Sequence, residues 1–164
     1  MARSSPGMRN EQVKRVVSSI NFMSIALEEA RAAGAADEVP VGCVIVRQGA
    51  VLARAGNRTL RERDPTAHAE VLAIRAAAAA VGSERLTDCD LYVTLEPCTM
   101  CAAAISFARI RRLYFGAVDP KGGAVESGVT FFAATTCHHR PEVYGGIAEA
   151  DAAALLRKFF AERR

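Results

Sequence analysis

The order in which strand-like and helix-like segments follow one another constrains this chain more than any other feature. VGCVIVRQ and GAVLARAGN are two short β-rich runs broken at Gln48-Gly49, which reads as a hairpin. A helical pattern starts near Thr66 or Ala67 and runs through Ile74 into the alanine tract Ala76 to Ala80, where Gly82 closes it. DLYVTLE is then a strand, Pro97 opens a helix that continues as CTMCAAAISFARI, and RRLYFGAV is another strand. A glycine-rich connection from Lys121 to Gly128, a short fifth strand around Glu142 to Ile147 and an amphipathic helix from Ala148 to Arg164 complete the series. Ahead of them all, Val16, Val17, Ile20, Met23, Ile25, Ala26 and Leu27 mark one face of a first helix, Val13 to Ala33, which Gly34 is placed to end. Strand–helix–strand units align their strands in parallel. The expectation is therefore an α/β fold, a three-layer α/β/α sandwich on a mixed sheet of about five strands, with an antiparallel hairpin at its front.

The 164 residues, 51% hydrophobic and 24% charged, fit one compact domain and exclude disorder and collagen-like repeats. Residues 1–18 read as an N-terminal extension, loosely ordered or the start of the first helix, and 19–164 as the domain itself. The alanine tract is ordinary helix, since alanine is the best helix former. The opening MARSSPGMRNEQVKR is followed by no apolar stretch or cleavage site of a secretory signal. No run approaches the roughly 18 apolar residues of a membrane span, so the expected location is the cytoplasm. There, five cysteines cannot be assumed to pair as disulfides. A net charge of +3 is too small to diagnose nucleic-acid binding.

DPTAHAEVLAIR places His68 and Glu70 at the mouth of an apolar helix. Alone, a histidine there is more often a hydrogen-bonded structural residue than a ligand. LEPCTMC, however, puts Cys98 and Cys101 on one face of the next helix, at the positive end of its dipole, where thiolates are favoured. A C-x-x-C by itself is a redox pair, half of a structural zinc site or part of a catalytic one. There is no second C-x-x-C to close a four-cysteine site, and a redox role leaves His68 and Glu70 without a purpose. Both helices should start on the same edge of the sheet, so that His68 faces the cysteines. Those three ligands would hold one Zn²⁺ and leave a tetrahedral position open, the mark of a catalytic site. Glu70, two residues past the histidine, would then move protons without ligating the metal.

T-A-H-A-E with L-E-P-C-T-M-C, the first cysteine 30 residues after the histidine, matches the zinc deaminase signature. From about Asn21 to Arg164 the chain resembles the bacterial tRNA-specific adenosine deaminases, of the cytidine deaminase superfamily. The likeness extends through EVPVGCVIV, GNR at Gly56 to Arg58, LYVTLEPCTMCAAAI and FGAVDPKGGAVESG. It implies a cytidine deaminase-like fold and a homodimer with active sites near the subunit interface. It also implies a tRNA anticodon loop as substrate, with no organic cofactor and no membrane. By the same resemblance Asn57 would hydrogen-bond the flipped base, and Asp119 and Lys121 would touch the nucleotide or its backbone. Local sequence alone reads Asn57 as a strand-ending turn residue and Asp119-Pro120 as a turn. Where relatives often carry Asn-His-Arg this chain has His138-His139-Arg140, and a histidine at 138 can still stack on or hydrogen-bond RNA. Cys137 beside two histidines is poorly spaced for chelation, and Cys43 and Cys89 read as ordinary thiols.

Basic residues gather at Arg109, Arg111 and Arg112 and at Arg157, Lys158, Arg163 and Arg164, with Phe159 and Phe160 between. Helical spacing explains the last group as a solvated face with core phenylalanines, and the resemblance makes both groups a footprint for an RNA backbone. Two rival functions stay open: a deaminase of free guanine, cytosine or a nucleoside, and a non-catalytic zinc or RNA-binding protein.

Overall fold

Gln48 and Gly49 both adopt positive φ, 50° and 76°, the pair of left-handed conformations that a two-residue hairpin turn requires. They join β1 (Gly42–Arg47) to β2 (Ala50–Gly56). In this computed structural model residues 9–163 are described, with side chains throughout except at 13 and 15–20. A long helix, α1 (Asn10–Ala35), precedes the hairpin. After it come α2 (Ala69–Val81), β3 (Cys89–Leu95), α3 (Thr99–Phe107), β4 (Arg112–Ala117), a 3₁₀ turn at Phe131–Ala133, β5 (Glu142–Tyr144) and α4 (Glu149–Ala161). The sheet runs β2-β1-β3-β4-β5. β1 is antiparallel to both β2 and β3, whereas β3, β4 and β5 are parallel, with Asp90 opposite Arg112 and Leu95 opposite Ala117. This is the expected mixed five-stranded α/β/α sandwich.

The central strands are buried on both faces, so they read as continuous apolar runs rather than alternating ones. Cys43, Ile45, Leu91, Val93, Leu113 and Phe115 point to the side covered by α2 and α3. Val44, Val46, Tyr92 and Tyr114 point to the side of α1 and α4, where the three rings of Tyr92, Tyr114 and Tyr144 stack in series at 4.5 and 5.0 Å. Phe115 is fully buried, and truncating such a side chain to alanine costs about 3–5 kcal/mol. α2 buries Ala69, Ala73 and Ala77, a stripe of small residues that brings the helix close to the sheet, together with Glu70. On the other face Gly42 meets the α1 backbone at Ala26 and Ala30, leaving no room for a Cβ. Among the described residues no helix is long and apolar enough to cross a membrane.

The boundaries differ from expectation where side chains compete for the backbone. α2 starts at Ala69 rather than at Thr66 or Ala67, because Asp64 Oδ1 accepts both the Thr66 N–H at 2.8 Å and its hydroxyl at 2.6 Å. That turn keeps the chain out of the helix until His68. α3 starts at Thr99 because Cys98 is extended, with φ −72° and ψ 175°. α1 continues past Gly34, and Asp37 takes the left-handed conformation instead, φ 64°, its N–H bonded to the Gly34 carbonyl at 3.1 Å. The last helix ends at Ala161, and Arg164 lies outside the described residues, as do residues 1–8 of the N-terminal extension.

Since β1 runs antiparallel to β3, the end of β2, the start of β1 and the ends of β3 and β4 share one edge of the sheet. The connections into α2 and α3 leave from that edge. The starts of β3 and β4, with Asp90 and Arg112, lie at the opposite one.

Candidate metal centre

His68 and Cys98 are the N-cap residues of α2 and α3, both in extended backbone. His68 Nδ1 lies 3.6 Å from Cys98 Sγ and 3.5 Å from Cys101 Sγ. The three ligand atoms all fall within 4.8 Å of one another, the one such group of histidine, cysteine or carboxylate side chains among the described residues. His68 and Cys98 are half-buried and Cys101 is buried.

The charges of the cluster interlock. A hydrogen bond from Cys101, with help from His68, pulls the Cys98 thiol down to about 4. The Cys101 thiol is pushed up, first by its hydrogen bond to Cys98 and then by burial. His68 is raised by its contact with Cys98. Glu70, in the first turn of α2 and only 4% exposed, is raised mainly by burial, which disfavours its charged form. Burial and the Glu70 charge in turn push up the thiol of Cys43, which sits on β1 beneath α2.

One imidazole nitrogen and two sulfurs, one of them readily a thiolate, are a donor set that suits Zn²⁺. Nδ1 faces both sulfurs and is the nitrogen placed to bind a metal with them. Three protein ligands leave a coordination position open beside a buried carboxylate that is not one of the three.

Asn57 follows directly on β2, and its Oδ1 accepts the Ala69 N–H at 2.8 Å. This fixes the amide orientation and leaves Nδ2 as its donor end, on the same edge as His68. Asp119 and Lys121 sit just beyond β4 on that edge. The Asp119 carboxylate closes its own turn, accepting the Lys121 N–H at 3.2 Å and the Gly122 N–H at 3.0 Å. Both residues line a groove of about 680 Å³ with Val39, Leu95, Phe160 and Arg163. His138 is exposed but is not brought to the cluster: its neighbours Cys137 and His139 are fastened to Ser106 and Ile110, at the far end of α3. Ser106 is about 12 Å along the helix from Cys98, at 1.5 Å per residue. Cys137 and His139 are thereby structural.

The basic clusters separate. Arg111 grips Asp90 with two bonds of 3.0 and 3.1 Å, and Arg112 pairs with Glu142 at 3.1 Å, both at the edge opposite the metal cluster. These arginines stand apart from the metal cluster. In α4, Phe159 is buried under the Arg163 guanidinium, whereas Phe160 is 50% exposed in the groove, so only the first is a core residue.

Besides Asp90, which Arg111 holds, Glu38 and Glu96 are buried carboxylates to which the sequence assigns no role. Glu38 is 1% exposed, and its Oε1 accepts the N–H groups of Leu60 and Arg61 at 2.9 and 3.2 Å, while its Oε2 has no partner among the described residues. Glu96, 2% exposed, stands two residues before Cys98 and collects donors from the loop after β4. An acidic residue at the end of an apolar run, facing a glycine-rich loop full of free N–H groups, was the available signal for Glu96.

A histidine and a C-x-x-C meeting at paired helix starts, with a buried glutamate beside the open position, define a zinc-dependent hydrolytic deaminase site. The chain belongs to the cytidine and deoxycytidylate deaminase family, whose zinc-binding region matches residues 17–117. A tRNA-specific adenosine deaminase of Agrobacterium fabrum is 66% identical over 144 residues, covering 88% of this chain and 95% of the relative. A solved structure from work on A-to-I editing by tRNA:A34 deaminases at the wobble position of transfer RNA is also 66% identical, with TM-score 0.82, covering 83% of this chain and 99% of its own. The guanine deaminase of Bacillus subtilis is 32% identical, with TM-score 0.59, over 78% of this chain and 87% of its own.

Proposed function

We propose that the protein converts adenosine to inosine by hydrolytic deamination at the wobble position of a tRNA anticodon loop. The observation that carries this reading is the three-ligand cluster beside a buried Glu70, in a chain 66% identical to a tRNA-specific adenosine deaminase along most of its length. His68, Cys98 and Cys101 would hold the zinc, which when bound lowers the pKa of water and so supplies a nucleophile at neutral pH. Glu70 would take a proton from the attacking water and pass it to ring nitrogen 1 of the base, then take the proton of the new hydroxyl on carbon 6 and pass it to the departing amine, so that adenosine and water yield inosine and ammonia and Glu70 ends as it began. Burial raises its pKa above that of an ordinary carboxylate, as suits a group that must both accept and release a proton. Asn57 Nδ2 would donate to the base, whose place is fixed because Oδ1 is already engaged. Asp119 and Lys121 would meet the nucleotide or its backbone, with Phe160 offering an exposed ring in the same groove. His138 would touch RNA outside this pocket. A base in a single-stranded loop is extruded at little unstacking cost, which favours an anticodon loop over a duplex.

The reading extends to a cytoplasmic homodimer whose deaminase domain spans residues 19–164. Exposed apolar side chains at Leu60, Phe107 and Val129 supply surface for self-association. A deaminase of free purines is the second reading, favoured by the likeness to guanine deaminase. A non-catalytic zinc or RNA-binding protein would leave Glu70 buried at cost and without purpose. Native mass spectrometry together with ammonia release decides among the three. One zinc per chain with ammonia formed from tRNA supports the proposal, ammonia from guanine alone supports the second reading, and zinc without ammonia supports the third.

A further inference from the structure

The geometry points to Glu96 as the positioning residue that locks the substrate loop, residues 119–127, to the segment carrying Cys98. Its Oε1 accepts the Asp119 N–H at 3.0 Å and the Ser127 hydroxyl at 2.9 Å. Its Oε2 accepts the N–H groups of Val125, Glu126 and Ser127 at 3.0, 2.9 and 2.9 Å. Five donors from both ends of one loop thus converge on one buried carboxylate. The Ala124 N–H bonds the Pro97 carbonyl at 2.8 Å, fastening the middle of the loop to the same segment. Gly123 lies so close to the Glu96 carboxyl carbon that a Cβ there would collide with it. Such a density of donors fits an ionised acceptor and nothing neutral.

The lock has a functional direction. Glu96 is held by β3 on one side and by Pro97 and Cys98 on the other, so its position is set by the chain that supplies two metal ligands. Asp119 and Lys121 are set by Glu96. The distance between metal ligands and nucleotide-contacting loop is therefore set at both ends of the loop by one side chain outside the ligand cluster, with the Ala124–Pro97 backbone bond holding the middle. A misplacement of about 1 Å in such a site costs on the order of a hundredfold in rate. A glutamine at 96 has one acceptor oxygen and turns an NH₂ toward at least two of the donors, which frees one end of the loop.

The inference rests on the proposed deamination for its kinetic readout, but not for its structural one. Hydrogen exchange of Glu96→Gln should show the amides of 119 and 125–127 exchanging at least about tenfold faster, with α2 and β3 unchanged and zinc content kept. In turnover of an anticodon stem-loop, KM should rise about tenfold or more, with a smaller fall in kcat. Combined with Lys121→Ala, the two KM effects should fall well short of multiplying, because both act through one loop. Ser127→Ala, which removes a single bond, should shift exchange and KM in the same direction by less and serves if Glu96→Gln does not fold. Unchanged exchange in the loop, zinc loss with a parallel fall in kcat, or KM effects that multiply in full would overturn the assignment. If the parent protein shows no turnover of the stem-loop, the proposed function fails, while exchange still decides the lock.

Discussion

Asn57 Oδ1 accepts the backbone N–H of Ala69 at 2.8 Å, so the residue just after β2 also satisfies the first free amide of the helix that carries Glu70. The bond gives Asn57 two separable duties. Asn57→Asp keeps the acceptor and adds a negative charge at a helix N-terminus, which is favourable. Stability should be maintained, whereas the loss of Nδ2 as donor to the base should lower kcat/KM at least about tenfold, the worth of one hydrogen bond. Asn57→Ala should lose both that activity and about 0.5–2 kcal/mol of stability. Thermal unfolding and kinetics of the two variants check this, and equal stability in both would show that the Ala69 amide does not depend on Asn57.

Glu70→Gln should keep one zinc per chain, since Glu70 is outside the ligand cluster, yet reduce turnover on the order of 10²–10⁴-fold, the usual contribution of a positioned acid–base group. Metal analysis beside single-turnover kinetics makes the comparison. Turnover within a few-fold of the parent would assign proton transfer to another group.

The sandwich and the metal cluster were legible in the sequence because both depend on short-range signals. Strand and helix periodicity gave the element order, and that order brought the starts of α2 and α3 to one edge, where His68 meets Cys98 and Cys101. What stayed hidden depends on distant backbone. Glu38 and Glu96 bind N–H groups 22 to 31 residues away, which every sequence possesses and none advertises. The basic residues show the same limit, since Arg111 and Arg112 look like Lys121 in sequence until the sheet sends them to opposite edges.

Glu38 offers a test of an unusual buried carboxylate. Its Oε1 serves two loop amides while Oε2 has no partner among the described residues, so removing the charge should cost little. Glu38→Gln is expected to lie within about 0.5 kcal/mol of the parent or above it, whereas Glu38→Ala, which strands the Leu60 and Arg61 amides, should cost about 1–3 kcal/mol. Urea unfolding at constant m-value reads both. A glutamine as damaging as the alanine would mean that Oε2 is engaged.

Charge reversal separates the two edges. Lys121→Glu should raise KM for an anticodon stem-loop and flatten its dependence on salt by about 0.7 in log–log slope, the share of one single-strand phosphate contact. Arg111→Glu, at the far edge beside Asp90, should leave KM and slope unchanged. The reverse pattern would move the RNA to the other side of the molecule.

The most direct measurement is sequencing of the anticodon loops of transcribed tRNAs after incubation with the zinc-loaded protein, because inosine is read as guanosine. The account predicts conversion of adenosine at the wobble position alone, dependent on His68, Cys98, Cys101 and Glu70. Unedited tRNA together with ammonia released from free guanine or cytosine would contradict it.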